Sequence, residues 1–233
     1  MPRIIDEMIN EELKSSEIKL QSAITTLRGL HYLKDDHHLD ISTIVRHGNF
    51  IDVMEELGRS DDYDLIVMGT RGATGMKEVF MGSNTVKVIE KVGKPLLVVP
   101  EDAKYHGFRH IVYATALHDK DIEVIEDLQK FSELFDAELT CLHINKTENQ
   151  DIAQFKMNYL EDTFRFTPIS KLNFQLIKDK SAERGLMKFL NDYHSDLIAI
   201  MPQERDFVKG LFHSSLTKRL AFHSVTPLLV VRK

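Results

Sequence analysis

One stretch of 36 residues occurs twice in this chain. Residues 64–99, DLIVMGTRGATGMKEVFMGSNTVKVIEKVGKPLLVV, align without a gap with residues 196–231, DLIAIMPQERDFVKGLFHSSLTKRLAFHSVTPLLVV, and twelve of the 36 aligned positions are identical. Both copies begin with Asp-Leu-Ile and end with Pro-Leu-Leu-Val-Val. A repeat of this size predicts that the chain is a tandem of two related units rather than one large domain.

The repeated stretch has the pattern of a strand, a loop, a helix and a second strand. In the first copy the apolar run 65–68 is too short for a helix and predicts a buried strand, and glycines interrupt the pattern after it. Apolar residues then recur at helical spacing as far as Gly93 and Pro95, which end the helix. The apolar run 96–99 predicts a second buried strand.

The rest of the chain alternates between helical and extended patterns. Before the first copy we predict a helix over residues 3–30, a strand over Ile41–Val45 and a helix over 50–57. The polar segment 101–109 reads as a linker. The predicted strands after it are 110–114, 138–145 and 173–178, and the predicted helices are 119–135, 152–164 and 182–192.

Alternating helices and uniformly apolar strands predict an α/β fold with a parallel, doubly wound sheet in each unit. We place the units at residues 1–105 and 106–233. Only the second has the full order of five strands, since nothing in the first matches residues 110–150. Either the sequence starts downstream of the natural start or a partner covers the gap, and we favour the truncated start.

Composition argues against several classes of protein. The formal net charge of −6 offers no basic surplus for nonspecific binding of nucleic acid. No apolar run approaches the roughly 20 residues that a membrane span needs. The single cysteine, Cys141, lies in an apolar run and reads as a buried strand residue rather than a reactive thiol. An intrachain disulfide is impossible, which fits the cytoplasm.

The first glycine loop resembles the ATP loop of the nucleotide-binding branch of the universal stress protein family. The resemblance rests on the spacing Gly69-x2-Gly72-x9-Gly82-Ser83, set between the strands DLIVMG and KPLLVVP. It implies tandem units of the flavodoxin-like, adenine-nucleotide-α-hydrolase-like type, and it implies binding of ATP or AMP. Glycines let backbone N–H groups approach an anion closely, and a helix N-terminus favours a phosphate.

By this resemblance, Gly69 and Gly72 lie along the ribose and phosphates, while Gly82, Ser83 and Asn84 contact phosphate oxygens. Arg71 is either a charge partner for phosphate or a solvated loop residue. The glycines also have a purely structural interpretation, as turns that packing requires.

The second copy departs from this pattern. Met201, Glu204 and Ser214 stand where the first copy has glycines, and Glu204 would repel a phosphate. Ala116 follows the first strand of the second unit, where nucleotide-binding members of the family usually carry an aspartate. We therefore expect no nucleotide in the second unit.

The two Pro-Leu-Leu-Val-Val endings predict a shared interface. In dimeric members of this family the last strands pair across a two-fold axis. Leu96–Val99 and Leu228–Val231 could pair in the same way within one chain, as an internal pseudo-dimer. A homodimer is a further possibility.

Three functions remain open. They are an adenine-nucleotide sensor in the stress response, a nucleotide-free protein interaction module, and an adenylating or slow ATP-hydrolysing enzyme. No Walker-type GxxxxGK[ST] or CxxC motif occurs, so we assign no catalytic residue and favour binding over turnover. We predict no metal site, since the adjacent His37 and His38 would point apart on a helix or strand.

Overall fold

The computed structural model describes residues 2–29, 40–69, 83–146, 151–166, 171–202 and 226–233. The chain divides into two compact units, Met1–Val53 and Met54–Lys233. This division concerns compactness, whereas the boundary placed at residues 105 and 106 concerns the repeat and stays a prediction.

Helix α1 (Pro2–Arg28) accounts for most of the described part of the compact unit Met1–Val53 and matches the helix expected over residues 3–30. Helix α2 (Phe50–Arg59) starts after Asn49, whose side-chain Oδ1 accepts the backbone N–H of Ile51 at 2.9 Å and so caps the helix. The strand expected over Ile41–Val45 is wrong, because these residues form no strand in the structure. Their β-branched side chains favour extended backbone, but a strand also needs a hydrogen-bonded neighbour.

The compact unit Met54–Lys233 is built around a seven-stranded sheet, and this confirms the predicted α/β class. Its strands are β1 (Ile66–Gly69), β2 (Leu96–Val99), β3 (His110–Ala114), β4 (Glu138–Asn145), β5 (Leu172–Lys178), β6 (Leu197–Ile200) and β7 (Leu228–Val230). They lie in the order β1-β2-β7-β6-β3-β4-β5. All neighbours are parallel except β2 and β7. The accompanying helices are α3 (Ser83–Lys91), α4 (Asp121–Glu133), α5 (Asp151–Phe164) and α6 (Ala182–Asp192).

Helices cover both faces of the sheet, because successive side chains of a strand point to opposite sides. Tyr113 and Cys141 point to the face where α4 and α5 bury Leu128 and Leu160. On the other face α6 approaches β4 so closely that a Cβ on Gly185 would lie 2.9 Å from Ile144 Cγ2. The central strands β6 and β7 are buried throughout, which explains why they are continuously apolar.

The antiparallel pair β2–β7 joins the two copies of the repeat in one sheet. Leu96 is the register partner of Val230, Leu97 of Leu229, and Val98 of Leu228. The two Pro-Leu-Leu-Val-Val segments are therefore neighbours, as their sequences suggest. Pairing removes an exposed edge from each strand.

Asp179 joins the end of β5 to the start of α6. Its Oδ1 accepts the backbone N–H of Ser181 at 2.8 Å and the Nη2 of Arg184 at 2.6 Å, and its Oδ2 accepts the Nε of Arg184 at 3.1 Å. These hydrogen bonds, first of all the one from the Arg184 side chain, lower the pKa of Asp179 below its usual value. The folded chain thus favours the ionised carboxylate.

We expect Asp179→Asn to lower the melting temperature at pH 7. A carboxyl whose pKa is lower in the folded chain stabilises it fully above the unfolded pKa of about 4, and the contribution is lost as the pH falls through the folded value. The melting temperatures of the variant and of the original chain should therefore converge below about pH 4. Thermal unfolding followed by circular dichroism at pH 7 and pH 3 measures this, and a difference of the same size at both would contradict it.

Among the described residues, no helix combines the length and the apolar character that crossing a bilayer would require.

Candidate functional site

The carboxyl end of β1 meets the first turn of α3, and Thr85 makes this connection. Its side chain is 2% exposed, and its hydroxyl donates a hydrogen bond to the Gly69 carbonyl at 3.4 Å. Val88 and Ile89, both buried, anchor the helix on its inner side. The end of β1 and the start of α3 are thereby held together, as expected for the two elements that the glycine loop connects.

The first turn of α3 presents groups that suit an anion. The leading backbone N–H groups of a helix have no partner within it, and the helix dipole adds partial positive charge there. Ser83 is the first residue of α3, and the Asn84 side chain is exposed to solvent. Arg71, Gly72 and Gly82 lie outside the described residues, so of the predicted site the structure places Gly69, Ser83 and Asn84.

A second polar cluster lies at the carboxyl end of β3, in the second copy of the fold. Asp121, the first residue of α4, is fully buried. Its Oδ1 accepts the Tyr113 hydroxyl at 2.5 Å, and its Oδ2 accepts the Thr115 hydroxyl at 2.5 Å and the backbone N–H of His118 at 2.7 Å. Three donors therefore converge on one carboxylate. The Thr115 hydroxyl in turn accepts the N–H of Leu117 at 2.8 Å, so it has to donate to Asp121.

The Asp121 cluster makes its neighbours poor acids. Burial, with the negative charge and hydrogen bond of Asp121 acting in the same direction, raises the pKa of Tyr113 well above its usual value. Burial, followed by the charge of Asp121, raises the pKa of the Cys141 thiol. Cys141 is therefore a buried strand residue with little thiolate, as its apolar surroundings predict.

The position where the family usually carries an aspartate is exposed in the second unit. Ala116 follows β3 at the sheet edge with its side chain in solvent, next to the buried Thr115. Met201 packs partly buried against the main apolar core. Glu204 and Ser214, the other departures from the glycine pattern, lie outside the described residues.

Sequence reasoning missed the Asp121 cluster and also the role of the aspartate that opens each repeat. Asp196 Oδ2 accepts the backbone N–H groups of Arg109 and His110 at 2.8 and 3.0 Å, and so holds the start of β3 beside β6. Asp64 is its counterpart in the first copy and is exposed. A conspicuous signal was present, because an acidic residue directly before a buried strand in both copies suggests a shared structural task.

Comparisons with known proteins agree on one family. The model of the universal stress protein family matches residues 3–100. The universal stress protein Slr1230 of Synechocystis is 22% identical over 193 residues, which are 82% of this chain and 65% of that protein. The universal stress protein MJ0577 of Methanocaldococcus jannaschii is 27% identical over 96 residues, 39% of this chain and 59% of that protein. The chain thus spans less than two thirds of the length of these curated relatives.

Solved structures show the same fold. A universal stress protein from Archaeoglobus fulgidus superimposes with a TM-score of 0.77 at 14% sequence identity, over 96% of this chain and 82% of that chain. A second protein, from Pseudomonas aeruginosa, is described as a putative universal stress protein and superimposes with a TM-score of 0.65 at 11% identity. At such identities the similarity concerns the fold.

Proposed function

Because the chain belongs to the universal stress protein family, we propose that it binds an adenine nucleotide, ATP or AMP, through the segment from Gly69 to Asn84. Its role in the stress response would then be that of a cytoplasmic sensor. The state of this sensor would change because the nucleotide orders the glycine loop.

The contact between Thr85 and Gly69 carries this proposal. It holds the end of β1 against the start of α3, so the two residues that flank the glycine loop lie close together. In open α/β sheets, ligands bind at the carboxyl ends of the strands. A phosphate there would meet the first N–H groups of α3 and the backbone N–H groups of Gly72 and Gly82, which no side chain shields, with Arg71 near enough in sequence to balance its charge.

Binding rather than turnover suits the chemistry of these residues. Of the residues proposed to contact the nucleotide, Arg71, Ser83 and Asn84 carry polar side chains, and none of these is a carboxylate or imidazole that could act as a general base near pH 7. Glu78, the carboxylate of the segment, is not among the proposed contacts. Any hydrolysis of ATP at this site would therefore be slow. We propose that the second unit binds no nucleotide, since Glu204 replaces a glycine and Ala116 replaces the family aspartate.

The variant Gly72→Glu should lose nucleotide binding. The new carboxylate would lie beside the phosphates and repel them, and its Cβ would restrict the backbone that has to approach them. We expect the dissociation constant for ATP, measured by isothermal titration calorimetry, to increase at least tenfold. This corresponds to a loss of about 1.4 kcal/mol of binding free energy.

Gly93→Glu is the matched control, because it adds the same charge beyond the opposite end of α3. Gly93 is exposed and a Cβ there would touch nothing within 4 Å. ATP affinity should survive this change. If the unaltered chain binds no ATP, or if both variants weaken binding equally, the glycine loop is not a nucleotide site.

A protein interaction module is the second candidate, and the pairing of β2 with β7 favours it. We propose that this pair is an internal pseudo-dimer, in which the second unit replaces the partner of a dimeric relative. Such a chain needs no nucleotide to present its paired surface. Its protein partners should therefore still bind to Gly72→Glu, whereas a nucleotide-controlled sensor should lose or alter that binding.

A further inference from the structure

A cavity of about 590 Å³ lies beside β2, under the connection from β2 to β3. Its apolar wall consists of Leu97, Val99, Tyr105, Phe108, Phe135 and Pro227. This volume falls within the roughly 300–1,000 Å³ of small-molecule sites, which are mostly apolar with few polar groups. None of the described residues of the proposed nucleotide site lines it.

Aromatic rings form the outer wall of the cavity. Tyr105 and Phe108 meet edge to face with ring centroids 5.2 Å apart, and Phe108 meets Phe135 in the same manner at 5.0 Å. Gly107 has a φ of +94°, a conformation that side chains rarely adopt, and this turn brings Phe108 inward to 8% exposure. Tyr105 stays 66% exposed at the mouth. Edges and faces of this kind pack well against a flat ring.

Ser195 gives the cavity a polar group that no described residue uses. Its side chain is 8% exposed, and its Oγ has no hydrogen-bond partner among the described residues. His194 before it has a φ of +47°, and this left-handed turn after α6 leads Ser195 to the cavity wall. A buried hydroxyl without a partner is unfavourable in the unliganded chain, so a ligand that pairs with it gains affinity.

The charges around the cavity favour a neutral ligand. Asp196 lines it, but its Oδ2 already accepts two backbone N–H groups. The remaining charged residues of the lining, Asp102 and Lys104, are exposed and of opposite sign. An anion or a cation would therefore find no surplus of countercharge here.

We propose that this cavity binds a small, neutral, ring-containing molecule whose single hydroxyl or similar polar group pairs with Ser195 Oγ. The rings lie between the aromatic wall and the apolar side chains of β2. The site is independent of the nucleotide proposal, although Val99 in its wall is the register partner of Gly69.

Two probes that differ only in a hydroxyl test the proposal: 2-naphthol and naphthalene. The chain has no tryptophan, so the fluorescence of the probes can be followed directly. We expect saturable binding of one 2-naphthol per chain, roughly tenfold tighter than binding of naphthalene, because one hydrogen bond is worth about 1–1.5 kcal/mol. In Ser195→Ala the preference for 2-naphthol should disappear, because its hydroxyl would be buried without a partner.

Two further variants test the location. Val99→Trp should fill the cavity and weaken both probes at least tenfold. Tyr105→Ala alters a largely exposed residue, so it should fold normally and weaken both probes several-fold. Phe155→Ala is the control, because Phe155 is an exposed aromatic residue that lines a different cavity, and both affinities should remain.

Three results would overturn the proposal: absence of saturable binding, a preference for 2-naphthol that persists in Ser195→Ala, or equal affinity of the two probes for the unaltered chain. The last result would mean that the Ser195 hydroxyl does not face the ligand. Gly72→Glu should leave probe binding unchanged, so this site and the nucleotide site can fail separately.

Discussion

Replacing Asp121 by alanine is expected to lower the free energy of unfolding of the compact unit Met54–Lys233 by about 3–5 kcal/mol, because several buried hydrogen-bond donors lose their acceptor. The carboxylate receives three donors, and its removal would leave the buried hydroxyls of Tyr113 and Thr115 without their acceptor. Each buried group left unpaired costs about 1–3 kcal/mol. Urea unfolding followed by circular dichroism measures the loss, which is a large part of the 5–15 kcal/mol typical of a domain.

Asp119→Ala is the matched control, because Asp119 is exposed two residues before Asp121, in the turn that precedes α4. It should change the free energy of unfolding by no more than about 0.5 kcal/mol. Tyr113→Phe removes one of the three donors and should cost about 1 kcal/mol in the unaltered chain, but less once Asp121 is alanine. Equal stability of Asp121→Ala and Asp119→Ala would refute the role given to this cluster.

Val98→Asp is expected to abolish cooperative folding of the sheet at neutral pH. Val98 is fully buried at the centre of the junction, opposite Leu228 on one side and Met68 on the other. An unpaired carboxylate in apolar surroundings costs several kcal/mol, and the missing methyl groups weaken the packing further. Thermal unfolding followed by circular dichroism should show no sharp transition, or one at a much lower temperature.

Val67→Asp is a close control for this change. Val67 lies one strand away in β1, and its side chain is 59% exposed, so the same substitution leaves the new charge in water. We expect an effect below about 1 kcal/mol. If both variants unfolded alike, the loss would come from charge or strand propensity rather than from burial at the junction.

Local pattern was sufficient for most elements of the fold. Three elements have the predicted bounds: the strands at 110–114 and 138–145 and the helix at 182–192. Buried strands and amphipathic helices each have a characteristic spacing of apolar residues, which can be recognised in the sequence. The predicted strand over Ile41–Val45 is wrong because a strand also needs a hydrogen-bonded neighbour. Nothing in these five residues, four of them β-branched, specifies that neighbour.

For the candidate site, too, the sequence predicted the local features, whereas contacts between distant residues needed the structure. The glycine spacing predicted a site of Gly69, Arg71, Gly72, Gly82, Ser83 and Asn84, because glycine spacing and helix starts are local properties, and this site stays a prediction. That Thr85 joins the strand to the helix needed the structure, because its hydroxyl reaches back 16 residues to the Gly69 carbonyl. The Asp121 cluster escaped detection because its three donors converge only after α4 has packed against the sheet.

The resemblance to the universal stress protein family rests on the glycine spacing of the first repeat, whereas the α/β class, the 36-residue repeat and the order of most helices and strands follow from apolar period and self-similarity along the chain. The fold supplied the antiparallel direction and the register of the predicted pairing between the two Pro-Leu-Leu-Val-Val segments, through β2–β7. It alone placed the aspartate of the second repeat under the start of β3 and left the Ser195 hydroxyl at an aromatic cavity. These are contacts between residues far apart in the chain, and burial and distance between such residues have no signature in local sequence.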